Sequence, residues 1–173
     1  TLQSLRFGAA YNAGYGLQQD WKYGDIVLHT GSSPIGDIGC FYLEALAEGA
    51  DDDFTPSAGA DNAAMLDEIG PDDDTTYNES DGTSGHRDEI TNGGISDVDI
   101  LSVAVLTRAR KTSTGTTSLK LGIEHGGTES QGSGKALSED WSTLMEFFDD
   151  NPDTSTDWQD SEISSAELSY EVV

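Results

Sequence analysis

Residues 119–127 read Leu-Lys-Leu-Gly-Ile-Glu-His-Gly-Gly, and this stretch decides the fold class. Three apolar side chains alternate with a lysine, a glycine and a glutamate. This period of two is typical of a β-strand that buries one face. The two glycines that follow are a turn signal. The stretch therefore predicts a strand of an antiparallel sheet that ends at Gly126 and Gly127.

The sequence after this strand predicts two more strands and one short helix. Residues 166–172 alternate apolar and polar side chains and predict the last strand, with Ala166, Leu168, Tyr170 and Val172 on one face. Residues 141–148 alternate more weakly and are rich in aromatic side chains, which favours a strand that crosses the core. Between these strands, Thr156 and Gln159 have the spacing of a capping box, which predicts a short helix through about Ser164.

The sequence before residue 119 predicts a further strand and a hairpin. Residues 95–111 have a period of two that places one set of side chains on a buried face: Leu101, Val103, Val105, Thr107 and Ala109. The other set, which includes Leu106 and Arg108, is expected to be partly wet. Residues 111–117, with Gly115 in the middle, predict a hairpin turn into the next strand.

The first 74 residues are less regular. Strands are expected at residues 25–29 and 40–46, and acidic loops at residues 48–62 and 70–74. Residues 62–69 fit either two helical turns or a strand. Residues 1–24 are rich in Gly and Tyr, and they are interpreted as an N-terminal arm that orders against a partner, or alternatively as an edge strand with unusual turns.

Together these elements predict five to eight short strands, one short helix and no βαβ spacing. We therefore expect an all-β fold, an antiparallel β-sandwich of jelly-roll type with one short helix near the C-terminus. The expected organisation is an arm at residues 1–24 and a sandwich domain at residues 25–173.

The composition excludes several partners. The 33 Asp and Glu outnumber the 8 Lys and Arg, and the formal net charge is -25. Phosphate binding requires clustered cations, so we expect no nucleic acid partner and no anionic membrane. Residues 1–4 have no signal-peptide pattern, and no stretch reaches the length of a membrane span. The only cysteine, Cys40, precludes an internal disulfide and is expected to be a small buried hydrophobe.

Residues with catalytic or metal-binding potential are scattered. His29, His86 and His125 lie far apart and lack neighbours at metal-ligand spacing. Residues 132–136 resemble a phosphate loop only superficially, because Ala136 replaces the required hydroxyl. The Asp triplets at 51–53 and 72–74 could bind calcium, but solvated loops are the favoured interpretation. We assign no catalytic, cofactor-binding or metal-binding residue, and we expect a protein that is not an enzyme.

The aromatic side chains offer a possible glycan site. Trp21, Tyr23, Trp141 and Trp158 could form a sugar-stacking platform on a sandwich face. The favoured alternative places Trp141 in the core and makes Trp158 an anchor for the short helix.

From Pro71 onward, the order of motifs resembles that of a known family. The motifs are Asp-Asp-Asp-Thr-Thr-Tyr at 72–77, Gly-His-Arg-Asp at 85–88, Arg-Ala-Arg-Lys at 108–111, a Gly-Gly loop, a strand with a tryptophan, and Asn-Pro-Asp-Thr at 151–154 followed by Trp158. This block of about 100 of the 173 residues resembles jelly-roll-like modules in virion structural proteins of tailed bacteriophages. It departs from the family at Leu168 and Ser169, where glycine is frequent, and residues 1–70 carry no resemblance.

The resemblance implies a virion structural protein without catalytic residues. The expected role is that of a capsid decoration or cement protein that binds the major capsid protein and stabilises the head shell. Such a protein would be assembled in the host cytoplasm, and we expect a homotrimer or another homo-oligomer. The alternative is a carbohydrate- or receptor-binding module of a tail or head fibre, since the same fold can host either function.

Overall fold

A computed structural model describes residues 39–68, 70–112 and 114–173. The chain divides into two compact units, Thr1–Tyr42 and Leu43–Val173. The predicted arm at residues 1–24 and the predicted strand at residues 25–29 lie outside the described residues. Of the first unit, residues 39–42 are described, and they form no regular structure. Cys40 is exposed, so the prediction of a buried thiol is wrong.

Within its described residues, the second unit contains ten strands, one 3₁₀ helix and one α-helix. In chain order these are β1 (Ala45–Asp52), β2 (Thr55–Pro56), the 3₁₀ helix (Ala63–Met65), β3 (Asn78–Glu79), β4 (Arg87–Asn92), β5 (Val103–Ala109), β6 (Ser118–His125), β7 (Thr128–Gln131), β8 (Lys135–Ala136), β9 (Ser142–Phe148), α1 (Asp160–Ile163) and β10 (Glu167–Val172). The predicted all-β class and the single short helix near the C-terminus are confirmed.

The strands form one large sheet and two ribbons, and every pairing is antiparallel. The large sheet has the order β1-β4-β10-β6-β7, with β8 also paired to β6. The strands β2 and β3 form one ribbon, and β5 and β9 form the other. The last strand, β10, therefore lies in the middle of the sheet between β4 and β6.

The alternation in β6 is confirmed. Leu119, Leu121 and Ile123 are buried on the core side of the sheet. The turn after β6 consists of Gly126 and Gly127, with φ angles of 59° and 81°, and it pairs β6 with β7. Two consecutive positive φ values match the right-handed twist of the two strands, and glycine adopts them without a Cβ clash.

The core lies between the large sheet and the β5–β9 ribbon. Its buried cluster combines residues from β6 and β10 with residues from both ribbon strands and from around α1: Phe54, Val105, Leu119, Leu121, Ile123, Phe148, Trp158, Ile163, Ala166 and Val172. Two antiparallel layers with apolar inner faces are the arrangement of a β-sandwich. In this protein the second layer is a ribbon of two strands.

The N-terminal half of this unit differs from the predictions. The strand expected at residues 40–46 begins at Ala45 and continues through Asp52, so part of the expected acidic loop is strand β1. Its carboxylates are tolerated because β1 is an edge strand of the sheet. Residues 63–65 form a single 3₁₀ turn, and the turn predicted at residues 70–74 is present. Strand β4 was not predicted, because its sequence, Arg-Asp-Glu-Ile-Thr-Asn, contains one apolar residue.

Three local predictions are wrong. Residues 111–117 are not a hairpin turn, because β5 pairs with β9, and the segment leads from the ribbon to β6 in the large sheet. The helix α1 is capped three residues later than expected. Gln159 is its N-cap residue and forms the capping box with Glu162. Leu101 lies before β5 and is 60% exposed, although it was expected on the buried face.

Candidate functional site

The β5–β9 ribbon has one buried face and one exposed apolar face. Val105 and Phe148 point inward and are 5% and 6% exposed. Leu106 and Phe147, their neighbours in sequence, point outward and are 55% and 62% exposed. The alternation of strand side chains explains this difference, because successive residues point to opposite faces.

The outward side chains form a continuous row. Across the ribbon, Ala104 lies opposite Phe147, and Leu106 lies opposite Met145, which is 41% exposed. Directly opposite residues of an antiparallel pair have Cβ atoms about 5 Å apart, so these side chains are in mutual reach. We call this surface the ribbon face; its residues are Ala104, Leu106, Arg108, Thr143, Met145 and Phe147. A contiguous exposed apolar surface of this kind marks interaction sites far more often than scattered exposed residues do.

An aromatic side chain and two arginines bound the ribbon face at one end. Arg110 lies over the ring of Trp141, with its guanidinium carbon 4.9 Å from the ring centroid. Arg108 forms a bidentate ion pair with Asp73, and its second bond, from Nη2 to Oδ2, is 2.9 Å long. The hydrogen bond from Arg108 lowers the pKa of Asp73.

The neighbouring carboxylate, Asp74, completes this end of the ribbon face. It lies 2.6 Å from Nη2 of Arg110 and accepts a hydrogen bond from Trp141 Nε1 at 3.3 Å. Two members of the triplet at 72–74, Asp73 and Asp74, thus face cations of the protein. Trp141 is half-buried at the surface, so its predicted core position is wrong.

The other Asp triplet also faces an arginine. Arg87 lies on the outer face of the large sheet and forms ion pairs with Asp51, with Glu89 at 2.5 Å and with Glu129 at 2.9 Å. The backbone N–H of Arg87 donates to the carboxylate of Asp53 at 3.2 Å. Within residues 39–68, 70–112 and 114–173, no cluster of three or more His, Cys, Asp or Glu side chains has an arrangement that could hold a metal ion.

Glu89 is a buried carboxyl group on this outer face, 1% exposed. It lies opposite Ser169 of β10, which in turn lies opposite Gly122 of β6. Arg87 donates to its Oε1, whereas its buried Oε2 accepts no hydrogen bond from the described residues. Burial raises the pKa of Glu89; Arg87 opposes this shift, and the nearby carboxylate of Glu124 adds to it.

A second buried carboxylate, Asp88, organises the core side of β4. Its Oδ1 accepts the backbone N–H of Phe54 at 2.8 Å. Its Oδ2 accepts hydrogen bonds from Asn62 Nδ2 at 2.8 Å and from the hydroxyl of Tyr170 at 2.6 Å. Burial raises the pKa of Asp88, although these three donors oppose the shift. The network attaches the segment around residues 54–62 to the large sheet, which is a structural role.

The same network occupies the only Asn-x-Ser sequon of the chain. Asn78 Nδ2 donates to the carbonyl oxygen of Asn62 at 2.9 Å and to the hydroxyl of Tyr170 at 2.7 Å. N-glycosylation attaches a bulky group at this nitrogen, so the observed hydrogen bonds are incompatible with a glycan at Asn78.

Three residues near the end of β6 have the residue types of a nucleophilic triad. His125 Nε2 lies 3.1 Å from Ser165 Oγ, and Asp153 Oδ2 lies 4.0 Å from His125 Nδ1. However, Asn151 Nδ2 lies 3.1 Å from the same Nδ1, and Asn151 Oδ1 accepts the N–H of Asp153. The amide nitrogen of Asn151 therefore donates to Nδ1, and the histidine proton sits on Nε2.

This tautomer has a chemical consequence. Nε2–H of His125 donates to Ser165, whose hydroxyl donates in turn to the carbonyl oxygen of Glu162 at 3.0 Å. A general base must accept the proton of the nucleophile, which His125 cannot do in this arrangement. The hydrogen bonds of His125 and Ser165 connect the end of β6 to the end of α1. Of the other histidines, His86 lies 3.2 Å from Asp81, and His29 is outside the described residues.

Trp158 does not belong to the possible sugar-stacking platform. Trp158 is 2% exposed and donates its indole N–H to the carbonyl oxygen of Phe148 at 3.1 Å, so it belongs to the core. Trp21 and Tyr23 lie outside the described residues. Of the four aromatic residues, Trp141 therefore remains as a surface candidate.

The ribbon face was missed in the sequence for a physical reason. Apolar residues on both parities of β9 indicate a strand buried on both faces, as in the centre of a sandwich. Within the described residues, no third layer covers the outer face of the ribbon, so its apolar side chains are exposed. Two features of the sequence could have indicated the ribbon face. They are the weak alternation of residues 141–148 and the set of alternate side chains in residues 102–110 that was expected to be partly exposed.

Comparisons with known proteins add no relative. No protein-family model, curated protein or solved structure matches the chain. In the part of the chain that the structure describes, no helix is long and apolar enough to cross a membrane. The fold and the site define an acidic all-β sandwich with one exposed apolar face.

Proposed function

We propose that this chain is a non-enzymatic structural protein of a tailed-phage virion, a decoration or cement protein that binds the head shell through the ribbon face. The observation that supports the proposal is the exposed row of Leu106, Met145 and Phe147 on a chain with a net charge of -25. The motif order from Pro71 onward supplies the resemblance to virion proteins, and it includes both strands of the ribbon.

The composition of the ribbon face suits protein binding. Phe, Met, Trp and Arg are enriched at protein interfaces, whereas charged residues are depleted at their centres. On the ribbon face the apolar side chains run from the Phe147 end to the middle, Arg108 lies at the other end, and Arg110 lies just beyond it. The acidic remainder of the surface keeps the unbound protein in solution.

The proposed partner is the major capsid protein, and the proposed assembly is a homotrimer or another closed homo-oligomer on the shell. Closed symmetric assemblies predominate among homo-oligomers, and capsids offer local symmetry axes. Each copy would display the acidic surface outward and turn the ribbon face to the shell.

The test is co-sedimentation of the full chain with assembled, expanded heads of the cognate major capsid protein. Leu106→Lys places a charge in the middle of the ribbon face. The matched control is Leu101→Lys, because Leu101 is the same residue type, is 60% exposed and lies outside the ribbon face. We expect wild type and Leu101→Lys to sediment with heads and Leu106→Lys to remain in the supernatant. Failure of all three to bind heads overturns the proposal.

A glycan-binding module is the second candidate, and Trp141 is the observation that favours it. Its ring lies at the end of the ribbon face, and its indole N–H donates a hydrogen bond to Asp74. Sugar rings stack on exposed aromatic faces, but Arg110 already covers one face of this ring. Binding to a glycan array that Trp141→Ala abolishes and Leu106→Lys retains would favour this function over shell binding.

A further inference from the structure

Strand β9 has an open edge. In the described part of the chain, β9 pairs with β5 on one side and with no strand on the other. Protein edge strands are usually protected by lysine, proline, a bulge or an inward-pointing charge. The sequence of β9, Ser-Thr-Leu-Met-Glu-Phe-Phe, has no lysine or proline, and its pairing with β5 has no register shift. Its one charge, Glu146, is paired with Lys135 at 2.7 Å and lies on the inward parity with Leu144 and Phe148.

Pairs of exposed carboxylates flank this edge at both ends. Glu139 and Asp140 precede the strand, and Asp149 and Asp150 follow it. At about 3.3 Å per residue, Asp140 and Asp149 lie about 30 Å apart along the strand. Between them, Thr143, Met145 and Phe147 are exposed on the ribbon face. The edge is therefore apolar in the middle and negative at both ends.

Strand β5 does not share this pattern. It is followed by basic residues, and the cations of Arg108 and Arg110 are paired with Asp73 and Asp74. A second copy of the chain would bring further carboxylate pairs and another net charge of -25 to the β9 edge. Charge repulsion therefore disfavours a β9–β9 pairing of two copies.

We infer that β9 binds an extended segment of a partner protein by strand addition. The segment has alternating apolar residues in its middle and Lys or Arg at both ends, about nine residues apart. Its backbone pairs with the N–H and C=O groups of β9 that point away from β5, its apolar side chains extend the ribbon face, and its cations meet the two carboxylate pairs. The inference rests on the proposed function in one respect, since the partner would be a shell protein.

The experiment uses the full chain and a labelled peptide in which two lysines flank each end of a run of alternating valine and threonine. Fluorescence anisotropy measures binding at moderate ionic strength. A second peptide with glutamate in place of every lysine tests the charge requirement. Hydrogen exchange of the chain, with and without the lysine peptide, tests whether backbone pairing occurs, because new strand pairing slows amide exchange in residues 142–148.

The matched variants separate a specific site from general attraction to an acidic protein. Asp140→Lys with Asp149→Lys leaves one cation and one carboxylate at each end of β9, so each end becomes neutral. Asp67→Lys with Glu79→Lys makes the same change of net charge at two exposed positions outside the ribbon. We expect the first double variant to weaken binding about tenfold or more and the second to leave it within about twofold.

Each outcome decides the inference. Three results together support it: saturable binding of the lysine peptide, slowed amide exchange in residues 142–148, and loss of peptide binding in the β9 double variant but not in the control. Equal loss in both double variants, unchanged exchange, or no saturable binding overturns it. Dimerisation of the free chain through β9 overturns it in favour of a second copy. If heads bind the chain but the peptide does not, the proposed function stands and strand addition falls. If the peptide binds and heads do not, the proposed function falls and the edge site stands.

Discussion

Phe147 and Phe148 are adjacent in sequence and lie on opposite faces of the β5–β9 ribbon, one 62% and the other 6% exposed. Phe148 packs in the cluster between the two layers, whereas Phe147 lies beside Ala104 on the ribbon face. Phe148 therefore contributes to folding, whereas its neighbour Phe147 is available for binding.

Substitution of these two residues should therefore have different effects on stability. We expect Phe148→Ala to lower the free energy of unfolding by about 3–5 kcal/mol, because it leaves a cavity in the core. Phe147→Ala should change it by less than about 1 kcal/mol, because the side chain is already mostly in water. Urea unfolding followed by tryptophan fluorescence measures both. A loss for Phe147→Ala as large as that for Phe148→Ala would mean that the ribbon face is covered in the free protein.

Asp88→Asn should destabilise the protein by about 2–3 kcal/mol, because the new amide nitrogen would face hydrogen-bond donors in a buried site. Tyr170→Phe removes one of these donors and should be milder, at about 1–2 kcal/mol. In the double variant the loss of stability should be smaller than the sum of the two single losses, since both substitutions act on Asp88 Oδ2. Asp67→Asn, at an exposed position, is the control and should be neutral. Full additivity would show that Asp88 and Tyr170 act independently.

The contribution of Glu89 to stability should fall as the pH rises above the ordinary pKa of this group, which is 4.5. Burial raises the pKa of this carboxyl group in the folded chain, so the folded protein keeps a proton that the unfolded chain has released. This contribution is fully present below the unfolded pKa and is lost as the pH rises through the folded pKa. Glu89→Gln removes the titration, so its free energy of unfolding should decline less between pH 5 and pH 8 than that of wild type. Urea unfolding at both pH values measures the slopes, and Glu79→Gln, on the surface, should retain the wild-type slope.

Added salt should stabilise the protein. The 33 carboxylates outnumber the 8 Lys and Arg, so most negative charges have no cation to pair with, and the compact state concentrates their repulsion. The screening length falls from about 10 Å at 0.1 M salt to about 3 Å at 1 M, so we expect a higher midpoint of thermal unfolding at 1 M sodium chloride. Thermal scans by circular dichroism test this. A lower midpoint would mean that ion pairs such as those of Arg87 outweigh the general repulsion.

The parts of the fold that the sequence predicts are those with local signals. The alternation in residues 119–124 and 166–172 identifies β6 and β10, and the two glycines identify the turn to β7. Strand pairing is non-local, which is why residues 111–117 suggested a hairpin although β5 pairs with a strand 33 residues further along, as the register of Ala109 with Ser142 demonstrates.

The site was less predictable. In a chain with 33 Asp and Glu, no pattern distinguishes the buried carboxyl groups of Asp88 and Glu89 from solvated ones. Their burial depends on donors from distant segments, such as Tyr170 for Asp88. The exposure of Phe147 depends on whether another layer packs on the outer face of the ribbon, which local sequence does not encode.

The central position of β10 bears on how the protein is made. The large sheet is incomplete until residues 167–172 insert between β4 and β6, which were synthesised many residues earlier. During vectorial synthesis two inner edges of the sheet thus stay unpaired until β10 leaves the ribosome. Strand pairing over such a long sequence distance slows folding and leaves unpaired strand edges exposed in the nascent chain. Premature termination anywhere before Glu167 should therefore yield a fragment with unpaired strand edges that is prone to aggregate. The acidic composition opposes this aggregation, because the fragments repel one another.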